Sequence, residues 1–396
     1  MKKILVLGAG VYQLPLIRAV QRMGYRSLVL SVVGPYPGIE VADVFFPVNV
    51  VDVEEVKELA RREGVDAVMT VGSDVAVPSI GAVVDELGIP GTGYEASLRS
   101  MNKVLMKKAL KEGGVPGADF EVVRTLEGAR SALDKIGLPA MVKAVDSSGS
   151  RGVTRIDKLS SLESAWEDAR TASRSDDIII EECLDGLEFG AQAFVQGGDV
   201  ISVFLHNDTV TGFSKSTPIG HSMPISLSQE VARTTEEIVK KAIDVLDIRD
   251  TCSNVDLMLV NEKPYIIEVG ARIGATCLPE NIGFYYGFDV YEFLIRTALG
   301  ERVELRPVQE QANASLLLTS KDSGVLKNVL ISDEVRDHPN LLELRIDVIP
   351  GDQVSEFRVG PDRLGHIMVS EQDAKKAERL ASYLASQVEF ILEQVE

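Results

Sequence analysis

Cysteine and tryptophan are scarce in this chain, with three cysteines and one tryptophan among 396 residues. Cys183, Cys252 and Cys277 are odd in number, far apart and without C-x-x-C spacing, which argues against a disulfide framework and a cysteine zinc site. They read as small buried apolar residues. Positive charge is also in short supply: 41 Lys and Arg face 60 Asp and Glu, a formal net charge of −19. Such a surface repels nucleic acid and anionic membrane, so neither is expected as a partner. Any site for a nucleotide must collect its own local positive charge. Long apolar runs are missing as well. The opening MKKILVLGAGV is broken by Gly8 and Gly10 and soon meets Gln13 and Arg18. Nothing elsewhere approaches the roughly 18 to 20 apolar residues of a membrane-spanning helix. A cytoplasmic location is expected.

What is present is ordinary globular composition, 45% hydrophobic and 26% charged. The length implies about two or three domains. Up to about residue 101 the chain alternates strands (Lys3 to Leu7, Ser27 to Val32, Ala67 to Val71) with helices (Leu14 to Met23, Val53 to Glu63, Ser79 to Leu87). That alternation predicts a doubly wound α/β domain with a parallel sheet. From about 102 to 300 the pattern changes to α+β. Helix Asn102 to Lys111 and the strand Pro139 to Ala144 precede a polar, glycine-bearing loop, Asp146 to Gly152. The strands Asp177 to Leu184, Glu188 to Gln196 and Val200 to His206 then follow, the last without an intervening helix, which suggests an antiparallel sheet. Residues 301–396 are expected to form a small C-terminal α+β domain closed by a helix from Glu371 to Leu392.

Several segments carry chemistry. The Gly8-x-Gly10 turn follows a strand as a dinucleotide fingerprint would, but Gln13 stands where the third glycine belongs, so a backbone-geometry role is favoured. Lys143 ends a strand and is followed by Ser148, Gly149, Ser150, Arg151 and Gly152. An ammonium and several backbone N–H groups can thus meet one phosphate there, although an exposed basic loop has the same composition. The apolar strand ending in Glu181, Glu182, Cys183 and Leu184, with Glu188 after a glycine turn, can offer backbone groups to adenine and a carboxylate to ribose; taken alone it reads more simply as a solvated strand end.

The strongest local pattern is Asn254-Val-Asp256 and Ile267-Glu268 with Arg272 behind them. A three-residue turn, Asn261 to Lys263, would set Asp256 opposite Glu268. Facing like charges destabilise a sheet unless a cation neutralises them, and Mg²⁺ favours one or two carboxylates together with substrate phosphates. Arg272 is then within reach of a transferring phosphoryl group. His221, in a Gly/Pro-bracketed loop, can bind an anion or help move the proton of an attacking amine, while His206, His338 and His366 read as structural or exposed.

In this order the features resemble the ATP-grasp superfamily, in the branch of L-amino-acid ligases and biotin-carboxylase-like and carbamoyl-phosphate-synthase-like enzymes. The resemblance covers nearly the whole chain and implies an ATP-grasp domain with a lid at about 115–185. It implies ATP as nucleotide, with Lys103 and Lys143 on its phosphates and the loop up to Gly152 as lid. Glu181 to Leu184 would form the adenine hinge, with Glu188 on ribose. Asp256 and Glu268 would hold Mg²⁺, with Mn²⁺ as an alternative, and Arg272 of the E-x-x-x-R pattern would act in the acyl-phosphate step. The expected activity is ADP-forming ligation of a small carboxylate to an amine, with a carboxylase, a purine-pathway type of ligase or a non-catalytic nucleotide binder as alternatives. A homodimer is a further expectation. One departure stands out: Gly270 occupies the position where many members carry asparagine.

Overall fold

The short runs Lys3–Leu7 and Arg26–Leu30 are β-branched and leucine-rich and bury both faces, as strands of a covered parallel sheet do. With Val44–Phe46 and Ala67–Met69 they form a four-stranded parallel sheet. Alternate side chains serve two cores. Ile4 and Val6 pack with Leu16 and Ile17 of helix Leu14–Arg22, and with Phe293 from the distant helix Val290–Ala298. Leu5 and Leu7 pack with Val56 and Leu59 of helix Val53–Glu63. The glycine turn after the first strand is filled by a side chain: Gln13 Oε1 accepts the Gly10 N–H at 2.9 Å, and Gln13 Nε2 donates to the Val71 carbonyl. The backbone-geometry reading of Gly8 and Gly10 fits this arrangement, because a dinucleotide phosphate would compete with Gln13 for the same donor.

This computed structural model describes residues 1–147, 149, 151–210 and 217–393. A second four-stranded sheet, antiparallel throughout, takes Phe120–Val123, Ile178–Glu182, Ala140–Ala144 and Val153–Ile156 in that order. Helices Leu126–Ile136 and Leu162–Ala172 cover it around Val142, Ile180 and Trp166. The largest sheet has eight strands in the order Lys263–Gly270, Cys252–Val260, Leu187–Gln196, Asp199–Val210, Pro218–Met223, Asn313–Leu318, Gly365–Ser370, Leu341–Ile346. The last three strands lie beyond residue 301, so ladder hydrogen bonds cross the boundary that the sequence pattern suggests there.

Two local expectations are corrected. The closing helix ends early, at Ala374–Ala385, and Val388–Glu393 instead forms a strand paired with Gly324–Ile331, giving that apolar segment a ladder partner. Pro218–Met223 is likewise a strand rather than a loop. It is held between Asp199–Val210 and Asn313–Leu318, and its ladder partners satisfy backbone groups in what is a buried position. Among the described residues, no helix is long and apolar enough to cross a membrane.

Candidate active site

The strands Cys252–Val260 and Lys263–Gly270 are joined by a two-residue turn, Asn261-Glu262, both with positive φ as a type I′ hairpin requires. That turn is one residue shorter than the sequence suggests, and by itself it would set Asp256 opposite Ile267. A bulge between Asp256 and Leu257 absorbs Ile267 and restores the register, so Asp256 faces Glu268. Burial, and then the Glu268 carboxylate, push Asp256 up to about 7. Asn254 Nδ2 donates to Asp256 Oδ1 at 2.8 Å. Two facing acids of which one resists ionisation suit a hard dication bridging to phosphate oxygens, and this donor set fits Mg²⁺.

Lys103 begins helix Lys103–Glu112, which Asn102 caps by accepting the Val104 and Leu105 N–H groups. Its Nζ lies 2.9 Å from Glu268 Oε1 and donates to the Ser147 carbonyl at 2.7 Å, which ties Glu268 to the base of the glycine-bearing loop. Burial works against its charge, but Glu268 outweighs that and raises its pKa. Lys143 is paired differently. Its Nζ is 3.0 Å from Glu181 Oε2, while Lys107 Nζ is 2.8 Å from Glu181 Oε1. All three side chains are at most 9% exposed. Two ammoniums sharing one carboxylate leave one net positive charge beneath the loop. Burial is the largest influence on both Lys107, whose pKa it lowers, and Glu181, where the two lysines overcome it and hold the carboxyl below its usual range.

The Glu181 side chain is therefore a buried counter-ion to Lys107 and Lys143. Its backbone and that of Glu182 pair within the sheet, whereas Cys183 and Leu184 lie just past the strand end. Glu188 is exposed. Partial desolvation and then Asp208 raise its pKa. Gly149 is exposed with φ +65°. Gly152 is a packing glycine: a Cβ there would meet Ala172 Cβ at 2.5 Å. The Arg151 carbonyl accepts the Ser147 hydroxyl at 2.6 Å. Ser148 and Ser150 lie outside the described residues.

His221 sits on a strand directly opposite Asp208, and its Nδ1 is 2.7 Å from Asp208 Oδ1. His206 approaches the same oxygen at 2.9 Å. The two rings meet edge to face at 5.2 Å. Burial lowers the pKa of His221, although Asp208 opposes this. A hydrogen-bond chain fixes the orientation of His206. The Gly274 N–H donates to Gln192 Oε1, so Gln192 Nε2 must be the donor towards Asn254 Oδ1 and His206 Nε2. His206 then carries its proton on Nδ1, facing Asp208. Gly190 makes this possible, since a Cβ there would stand 2.1 Å from His206 Cε1. From the sequence alone His206 reads as structural or exposed and Asp208 carries no motif; the signal that points to them is their i, i+2 spacing on one strand, beside the strand that bears His221.

Arg272 forms a two-pronged pair with Asp74: Nε lies 2.7 Å from Oδ1, and Nη2 lies 2.9 Å from Oδ2. Asp74 comes from the N-terminal α/β part and carries no local sequence signal. A cavity of about 310 Å³ opens at the junction of the N-terminal helix Leu14–Arg22, helix Leu278–Tyr286 and the C-terminal strands. Arg345 and Arg363 share one carboxylate, Asp347, at 2.7 and 2.8 Å. Arg363 also stacks over the Tyr12 ring at 5.0 Å. Burial disfavours a charged His366, but the Cys277 sulfur and the Glu343 carboxylate beside it push its pKa up to about 10. In a protein of net charge −19, this cleft is locally basic.

Residues 136–280 match the ATP-grasp domain family, and residues 316–393 match L-amino acid ligase C-terminal domain 2. Alanine–anticapsin ligase of Bacillus subtilis is 25% identical over 268 residues, which cover 61% of this chain and 56% of that protein. The chain thus spans little more than half the length of that relative. Phosphoribosylglycinamide synthetase from Anaerococcus prevotii shares 28% identity and superposes with a TM-score of 0.82 over 99% of this chain and 100% of that one. L-amino acid ligase from Bacillus licheniformis shares the fold, with a TM-score of 0.84, 20% identity and coverage of 100% and 99%. The chain thus carries an ATP-grasp domain match over residues 136–280 and, over residues 316–393, a match to the second C-terminal domain of the L-amino acid ligases.

Proposed function

We propose that this chain is an ATP-dependent, ADP-forming ligase that activates a small carboxylate, an amino acid or close relative, as its acyl phosphate and passes the acyl group to an amine. The observation that carries the reading is the facing pair Asp256 and Glu268, with Lys103 on one side and Arg272 on the other. Bound Mg²⁺ would neutralise phosphate oxygens between the two acids. Lys103, and Lys143 with Lys107, supply positive charge beneath the phosphates. Nη2 of Arg272 donates to Asp74 and Nη1 donates to the Ile273 carbonyl, with Nε in ion-pair contact with Asp74. The second N–H of each terminal nitrogen can meet the transferring phosphoryl group and the developing oxyanion.

Asp208 holds the Nδ1 side of His221, which leaves Nε2 as the site that can accept a proton from the attacking amine. The lid sheet and its loop would exclude water from the acyl phosphate. The domain division at about residues 101 and 300 belongs to the same proposal, as do a cytoplasmic setting and small-molecule partners.

The basic cleft also favours a second reading within the same chemistry, in which the amine carries a phosphate, as in phosphoribosylglycinamide synthesis by the A. prevotii protein. ADP release from Mg·ATP, measured with pooled amino acids and separately with pooled phosphate-bearing amines, tests both readings. Release that depends on one pool selects the acceptor class. Silence in every pool, with ATP bound, removes the ligase reading.

A further inference from the structure

Gly270 has no positive φ, so its backbone does not call for glycine. Space does. An added Cβ would stand 3.2 Å from Asp74 Oδ1 and 3.7 Å from Arg272 Cζ. A longer side chain such as asparagine would have to grow directly into the fork between these two groups. The N-terminal part is pressed against the same segment: the Gly72 N–H donates to the Ile273 carbonyl at 3.2 Å, and a Cβ on Gly72 would meet Ala275 Cβ at 2.8 Å. Asp74 and Arg272 are both largely buried, 20% and 14% exposed, and they meet at two points, a hydrogen bond from Nη2 to Oδ2 and an ion-pair contact of Nε with Oδ1. That geometry restrains a guanidinium in orientation as well as position.

We infer that Asp74 is the positioning residue for Arg272, and that Gly270 is the vacancy which admits it from the N-terminal domain. The assignment rests on the ligase reading for what Arg272 addresses, the γ-phosphoryl group. Held on its Nε edge by Asp74 and at Nη1 by the Ile273 carbonyl, the guanidinium keeps its free N–H groups turned away from both. The placement of a phosphoryl-binding arginine in the ATP-grasp part thereby depends on a carboxylate delivered from another part of the chain. Seating of the N-terminal domain and readiness of Arg272 become one event.

The test uses the full chain and Mg²⁺, and compares equilibrium binding of ATP with that of ADP, which lacks the γ-phosphoryl group. Asp74→Asn should weaken ATP by about tenfold while leaving ADP unchanged, the loss of a charge-assisted contact. Asp74→Glu should restore part of the difference. Arg272→Ala should show the same selective loss, and adding Asp74→Asn to it should cost nothing further. Gly270→Asn should reproduce the Asp74→Asn effect and not add to it. Thermal melts of each variant confirm folding, and any that fails to fold is replaced by Gly270→Ala, whose Cβ tests the same contact.

An unchanged ATP-over-ADP ratio in Asp74→Asn would overturn the assignment. So would losses from Asp74→Asn and Arg272→Ala that simply sum, or losses shared equally by ATP and ADP. If the coupling is found while no substrate pool elicits ADP release, the ligase reading fails and the Asp74 assignment stands.

Discussion

Asp256 faces Glu268 across the central hairpin because Ile267 bulges out of the ladder. Without the bulge the two-residue turn would send one of the acids to the opposite face of the sheet. Their shared task is best tested by Glu268→Gln, which keeps the shape and removes one charge. Mg-dependent ADP release should fall by about 10³-fold, equivalent to several kcal/mol of lost electrostatic stabilisation. Far-UV dichroism should be unchanged. Wild-type turnover in this variant would refute the metal assignment.

Glu181 is the shared counter-ion of two buried lysines, and removing its charge leaves both without that partner. Glu181→Gln should therefore destabilise the protein by about 3 kcal/mol in urea unfolding. Asp119→Asn, which breaks the exposed Lys111 pair, should change stability by no more than about 0.5 kcal/mol. Equal effects of the two substitutions would mean that the Lys107–Glu181–Lys143 cluster is open to water.

Asp208→Asn would deprive His221 of the carboxylate that orients its Nδ1 proton. We expect ligation to slow by about 10²-fold or more, with ATP affinity kept and ADP released without joined product as the acyl phosphate is lost to water. Product formed at the wild-type rate would dismiss His221 as the proton acceptor.

His366 gains its proton more readily in the folded chain than its ordinary value of 6.5 allows, with a folded value of about 10. Its contribution to stability is fully present below pH 6.5 and is lost as pH rises through about 10. The difference in Tm between wild type and His366→Asn should be largest at pH 6 and shrink steadily towards about pH 10. A difference that grows with pH would show that the ring is neutral in the folded state.

The alternation of strands and helices up to about residue 100 was legible because a parallel sheet buried on both faces leaves apolar runs and helical periodicity in the same short window. The pairing of Asp256 with Glu268 was legible for a similar reason, since a tight hairpin brings near neighbours in sequence together. Even so, the spacing suggests a three-residue turn where a shorter turn and a bulge produce the same register. Lys107 stands four residues after Lys103 on one helix face, a visible spacing, but nothing nearby marked Glu181 as the partner of Lys107 rather than of a ligand. Glycine and proline bracket His221 as they would in a loop, yet ladder partners on both sides make that segment a strand.

What the sequence determined by itself was the chemistry of each segment: acids at hairpin spacing, a lysine before a glycine-bearing loop, and an arginine four residues after the second acid. Those patterns are local, and local backbone periodicity fixes which side chains share a face. What only the tertiary structure decided was which charges meet. Asp74 and Arg272 are 198 residues apart, and Lys107 and Glu181 are 74 apart. Arg345, Asp347 and Arg363 gather at a cleft with helices from far upstream. Such meetings depend on how sheets and helices pack into place, and a buried charge takes its meaning from the partner that packing brings to it.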